Sequence, residues 1–84
     1  MEDLKKDFSK TSGDIVESVE IIDGFYRLIT AGHSFLAVKK NNLFYNIATK
    51  IKQASCYGYR GNIAVYLEED CQMPEFLNRL PKSF

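Results

Sequence analysis

The chain has 84 residues, 45% of them hydrophobic and 26% charged, which excludes a disordered polar chain. Its apolar runs fall short of the roughly 20 residues that a membrane-spanning helix needs. The formal net charge is zero, yet the charges are segregated. Residues 1–23 carry seven acids against three lysines, residues 24–60 carry six basic residues and no acid, and residues 61–84 carry four acids against two basic residues. This basic middle between acidic ends is the main electrostatic signal of the sequence.

The length fits one domain, residues 1–84, with one core. So small a domain buries only about 60% of the surface that its unfolded chain exposes. The charged start, Met1 to Asp7, lacks the apolar region of a secretory signal, so a cytoplasmic protein is expected. Cys56 and Cys71 are too few for a disulfide scaffold and are expected as free thiols in a reducing compartment.

Residues 1–13 are expected as a lead-in with a frayed turn of helix, Leu4 and Phe8 lying one turn apart. Ile15 to Ile22 reads as a strand with Ile15, Val19 and Ile21 on one face. Asp23-Gly24 suits a two-residue hairpin turn because both positions tolerate positive φ. Phe25 to Thr30 is the return strand, Ala31-Gly32 a second tight turn, and His33 to Val38 a third strand. That third strand places Phe35 and Ala37 on one face and Leu36 and Val38 on the other.

Asn41-Asn42 is a plausible helix N-cap. The apolar stripe Leu43, Phe44, Ile47, Ala48 and Ile51 then predicts a helix of about ten residues. Ala54 to Tyr59 and Ile63 to Leu67 are the fourth and fifth strands, joined by a turn at Arg60-Gly61-Asn62. Asp70 is placed as the N-cap of a final helix over Cys71 to Leu80, with Pro74 in its first turn and Pro81 ending it. The expected fold is α+β, a small, mostly antiparallel sheet in β-β-β-α-β-β-α order, with two short helices packed on one face.

Five constellations bear on function. His33 with Cys71 is a candidate base-and-nucleophile pair of a thiol hydrolase, with Cys71 at an expected helix start where the dipole favours thiolate. Glu68, Glu69 and Asp70 oppose that by crowding the cysteine with negative charge. His33, Cys56 and Cys71 lack the close ligand pair that zinc sites use, so neither a metal nor a cofactor is expected. Lys39, Lys40, Lys50, Lys52 and Arg60, interleaved with aromatics, form a candidate nucleic-acid surface. The sequence pI of about 6.6 is low for that role. The acidic run Glu68-Glu69-Asp70 either complements a helix dipole or meets a basic partner. Finally, five tyrosines and six phenylalanines exceed what so small a core hides, which favours a protein-binding face. Tyr57, Tyr59 and Arg60 are the first expected contact surface, and Glu68, Glu69 and Asp70 the second.

The segments Gly32-His33-Ser34-Phe35-Leu36-Ala37-Val38 and Tyr66-Leu67-Glu68-Glu69-Asp70-Cys71, with Phe76-Leu77 beyond, resemble a group of small phage- and plasmid-borne proteins. Those carry a Gly-His-Gly-aromatic-Leu strand, a Ser-x-Tyr strand and a Tyr-Leu-Glu-Glu-Asp-Cys segment. Ser55-Cys56-Tyr57 stands where the Ser-x-Tyr falls, and Ser34 departs from the expected glycine. The resemblance covers about residues 25–80. It implies an accessory protein of a mobile element, made in a bacterial cytoplasm, of the kind that blocks or redirects a host component such as a CRISPR effector. The expectation is therefore a non-catalytic binding protein with a host protein as partner and no membrane contact. A nucleic-acid binder and a thiol hydrolase are the alternatives, and a homodimer through sheet edges is open.

Overall fold

The computed structural model describes residues 2–22, 25–51, 58–70 and 72–81. Along the chain run α1 (Glu2–Ser12), β1 (Ser18–Ile22), β2 (Phe25–Ile29), β3 (Ser34–Lys39), α2 (Tyr45–Thr49), β4 (Tyr59–Arg60), β5 (Ala64–Glu68) and α3 (Gln72–Arg79). The strands form one antiparallel sheet in the order β1-β2-β3-β5-β4. The α+β class is as the sequence predicts.

The central strands β3 and β5 are buried along almost their whole length. Their alternation sends Phe35 and Ala37 to one face and Leu36 and Val38 to the other. The register Leu36↔Leu67, Ala37↔Tyr66 and Val38↔Val65 extends both apolar faces across β5. The face of Leu36, Val38, Val65 and Leu67 packs against Ala48 of α2 and Phe76 of α3. The face of Phe35, Ala37, Ala64 and Tyr66 packs against Leu4 and Phe8 of α1. The two expected helices, α2 and α3, thus share one face as the sequence predicts, and the additional helix α1 covers the other. The physical reason is in β3 itself, since a strand apolar on both sides needs cover on both sides.

That cover comes from the segment expected to fray. Leu4 and Phe8 are 1% and 0% exposed, and each such side chain contributes about 1.5–3 kcal/mol by leaving water. Glu2 and Asp3 in the first turn and Lys10 in the last complement the helix dipole. Gly13 ends the helix with φ +83° while its N–H donates to the Ser9 carbonyl at 2.8 Å, the left-handed C′ stop that glycine adopts without steric cost.

Other boundaries shift for local reasons. β1 starts at Ser18 rather than Ile15, and Ile15 is 81% exposed. Asp23-Gly24 lies outside the described residues, but its flanks Ile22 and Phe25 pair directly. Of the expected fourth strand, residues 54–57 lie outside the described residues, and β4 is the pair Tyr59–Arg60. Asn42 is not the N-cap of α2. Its Oδ1 accepts the Phe44 N–H at 2.8 Å in a turn ahead of the helix, and the cap position is Phe44, without a side-chain cap. Leu43 stands in that turn, 86% exposed, so it leaves the expected stripe, whereas Phe44, Ile47, Ala48 and Ile51 pack on the core.

The β4–β5 turn is pinned from α1. Asp7 Oδ1 accepts the Asn62 N–H at 2.9 Å, while Oδ2 accepts the Ile63 N–H at 3.2 Å and the Tyr66 hydroxyl at 2.6 Å. Gly61 lies directly against this carboxylate. A Cβ there would collide with Asp7 Oδ2 and come within 2.9 Å of the Tyr66 ring. Gly61→Ala is expected to destabilise the domain by about 1–3 kcal/mol through overpacking, read from the shift in the urea midpoint at unchanged slope.

Candidate functional site

The acidic run does not form one surface. Successive residues of β5 alternate between faces, and Glu68 lies buried on the α1 side while Glu69 follows the strand end. Glu68 Oε1 accepts the Asp70 N–H at 2.7 Å, and the Glu68 N–H donates to Gln72 Oε1 at 3.2 Å. Glu69 accepts both of its bonds from Arg27 Nη2, at 2.9 and 3.0 Å. Arg27 Nη1 also donates to Glu20 at 3.1 Å, so one guanidinium joins β1, β2 and the end of β5. Asp70 alone of the three is exposed.

The basic and aromatic candidates separate likewise. Tyr59 is half-buried, its ring 5.8 Å from Phe8 and 5.7 Å from Phe35 by centroid, so much of it belongs to the core. Arg60 faces the opposite side, where its Nη2 donates to the Thr49 carbonyl at 2.8 Å, satisfying the C-terminal end of α2. Tyr57 lies outside the described residues, as does Lys52. Lys39 stands 6.0 Å from the Tyr26 ring centre, a cation–π contact on the α1 side. With Asn41 it borders two small neighbouring clefts of ≈ 270 and ≈ 210 Å³, the smaller of which Lys40 also lines. Lys50 is exposed just past α2, on the other face of the sheet from Lys39. The structure thus brings Lys39 and Lys40 together but sets them apart from Lys50 and Arg60.

His33 sits where two clefts meet. The Thr30 N–H and hydroxyl both donate to the His33 carbonyl, at 2.9 and 3.1 Å, and the Thr30 hydroxyl accepts the His33 N–H at 3.3 Å. This tight turn, expected at Ala31-Gly32, fixes the imidazole at the strand entrance. Its Nδ1 is 3.4 Å from Glu68 Oε2, an ion pair when the ring is protonated. A cleft of ≈ 470 Å³ opens between the residues after α1 and this turn, lined among others by Asp14, Ile15, Glu17, Thr30 and His33. Asp14 and His33 also border a second space of ≈ 280 Å³ that reaches Phe35 and Tyr59. Cys71, the expected partner of His33 in thiol chemistry, lies outside the described residues, as does Cys56. Among the described residues no cluster of three or more His, Cys, Asp or Glu is placed to hold a metal, and no helix is long and apolar enough to cross a membrane.

Sequence reasoning did not single out three positions that line the larger cleft or join the strands. Asp14 reads as the end of a polar lead-in, Glu17 as a break in the alternation of the expected strand Ile15 to Ile22, and Arg27 as one of six basic residues in the middle of the chain. The signal for Arg27 was its place in the middle of a strand, where a cation on a packed face needs acidic partners. For Asp14 and Glu17 the signal was their place beside a strand with no basic residue between positions 11 and 26.

The sheet ends in two edges of different kinds. β4 is two residues long, lies beside Phe8 and is tied to α2 through Arg60. β1 is five residues long and pairs only with β2 among the described strands. Ile21, on this strand, is 66% exposed. No family model matches the chain, and neither a curated protein nor a solved structure matches it.

Proposed function

We propose that this chain is a small non-catalytic binding protein of a phage or other mobile element that engages a host protein in the bacterial cytoplasm, a defence component such as a CRISPR effector being the class of target. The single observation that supports binding is β1, an outermost strand among the described residues, with exposed Ile21 on it and exposed Ile15 just before it. Unpaired edge groups beside exposed apolar side chains are a template for another chain. The mobile-element part of the reading rests on the motifs around His33 and Glu68. A nucleic-acid surface draws less support, because its lysines and Arg60 are divided between the two faces of the sheet.

The test is capture of partners from a nuclease-treated bacterial lysate by the tagged protein, read by mass spectrometry. One stoichiometric protein surviving nuclease and moderate salt is the expected result. Retention of nothing, or only of nuclease-sensitive material, would overturn the reading for that host.

A further inference from the structure

We propose that the edge of β1 receives an extended, basic segment of the partner protein, paired as an added strand, with a lysine or arginine side chain seated in the cleft beside Asp14 and Glu17. This rests on the reading of the protein as a protein-binding module and names the chemistry of what it binds.

The backbone supplies the first half of the argument. As the outermost of the described strands, β1 leaves the N–H and C=O groups of alternate residues without a ladder partner among the described residues. Folded proteins usually blunt such an edge with lysine, proline, a very short strand or a covering element. Ser18-Val19-Glu20-Ile21-Ile22 contains neither lysine nor proline and spans five residues. The opposite edge, β4, is blunted by its length of two residues and by its ties to neighbouring helices. Ile21 offers an apolar contact for alternate side chains of an added strand, being 66% exposed.

Charge selects the occupant. Asp14, Glu17 and Glu20 line this edge and its approach, and no basic residue lies between Thr11 and Tyr26. Glu20 is engaged by Arg27. The Asp14 and Glu17 side chains are exposed and make no hydrogen bond or ion pair among the described residues. Both border the ≈ 470 Å³ cleft that opens at the N-terminal approach to β1. A strand extended along the edge reaches this cleft, and a cation entering it finds two carboxylates with no competing partner. A second copy of this chain fits less well, because the strand it would add, Ser18–Ile22, holds no lysine or arginine to enter the acidic cleft.

The probe is a short peptide of alternating lysine and valine, titrated into the full chain labelled with ¹⁵N. The expected result is amide shifts concentrated at residues 14–22 and 30–33. Binding should weaken about tenfold or more, a change of about 1.4 kcal/mol, in the exposed-site double variant Asp14→Lys/Glu17→Lys, with fold checked by circular dichroism. Methylating alternate peptide nitrogens, which removes strand pairing but keeps charge, should cause a comparable loss. No shifts at millimolar peptide, equal binding of the methylated peptide, or an unaffected double variant would overturn the proposal. So would concentration-dependent shifts along β1 without peptide, which would make the occupant a second copy. In lysate capture, a host protein held equally by wild type and the double variant would overturn this docking mode and leave the binding role standing. Failure of the wild type to hold any protein would strike the binding role itself.

Discussion

Phe8→Ala is expected to destabilise the domain by about 3–5 kcal/mol, the cost of truncating a fully buried aromatic and leaving a cavity. Phe8 is 0% exposed, and its ring lies 4.9 Å from Phe35, 5.1 Å from Tyr66 and 5.8 Å from Tyr59 by centroid. The tilted and edge-on arrangements are those that aromatic quadrupoles favour. Because a domain of this length has only about 4–12 kcal/mol of stability in all, the substitution removes a large part of it. Urea unfolding measures the loss, and Phe8→Leu, which keeps most of the volume, should cost less than about 1.5 kcal/mol. A Phe8→Ala midpoint close to wild type would mean that α1 is not part of the core.

Asp7→Ala is expected to cost about 3 kcal/mol, because it orphans the Asn62 and Ile63 N–H groups and the Tyr66 hydroxyl together. The electrostatics give this residue a pH signature. Burial raises the pKa of the Asp7 carboxyl, but the bonds from Tyr66, Asn62 and Ile63, aided by the charge of Lys40, outweigh it and hold the group below its ordinary value. Burial first, then the bond and charge of Asp7, push the Tyr66 hydroxyl far above its usual range. A carboxyl depressed in the folded state contributes stability that is fully present above its unfolded pKa of about 4. That contribution is lost as pH falls through the depressed folded value. The urea midpoint of the wild type should therefore drop as the solution is acidified below about pH 4, and the drop should shrink in Asp7→Asn. An equally steep acid loss in Asp7→Asn would place the proton uptake at other carboxylates. Tyr66→Phe removes one of the three donors and should cost less, about 1 kcal/mol, with a clear coupling to Asp7 in a double-mutant cycle.

These two positions also locate what chain-order reading reaches and what it does not. Period-two alternation in Phe35-Leu36-Ala37-Val38 identifies a strand because side-chain direction along an extended chain is a local property. Turn chemistry is local in the same way: it places one turn at Ala31-Gly32, closed by a backbone bond from Thr30 to His33, and the other at Arg60-Gly61-Asn62, one residue ahead of the turn that the Gly61 to Ala64 bond closes. The α+β class follows from those elements. The signals for α1 were also present: Leu4, Asp7 and Phe8 share one helical face, and Gly13 stands at its C′ stop. They went unweighted because a charged, short terminal helix is marginal alone and forms when its apolar stripe has somewhere to pack.

The candidate surfaces were less legible. Tyr59, Arg60, Glu68 and Glu69 all read as exposed binding groups in one dimension. In the fold Tyr59 packs on Phe8, Arg60 satisfies the end of α2, Glu68 turns inward and Glu69 pairs with Arg27. The partners of Tyr59, Arg60 and Glu69 lie on other elements of the fold, so no local pattern announces them.

What the sequence by itself determined is therefore the menu of elements: strands from alternation, turns from glycine and asparagine, helices from apolar stripes. The tertiary structure decided which faces those elements cover, which charges are consumed as internal pairs, and which strand is left at the edge. Burial and pairing depend on groups brought together from opposite ends of the chain, as Asp7 is with Tyr66, whereas backbone preference depends on neighbours a few residues away.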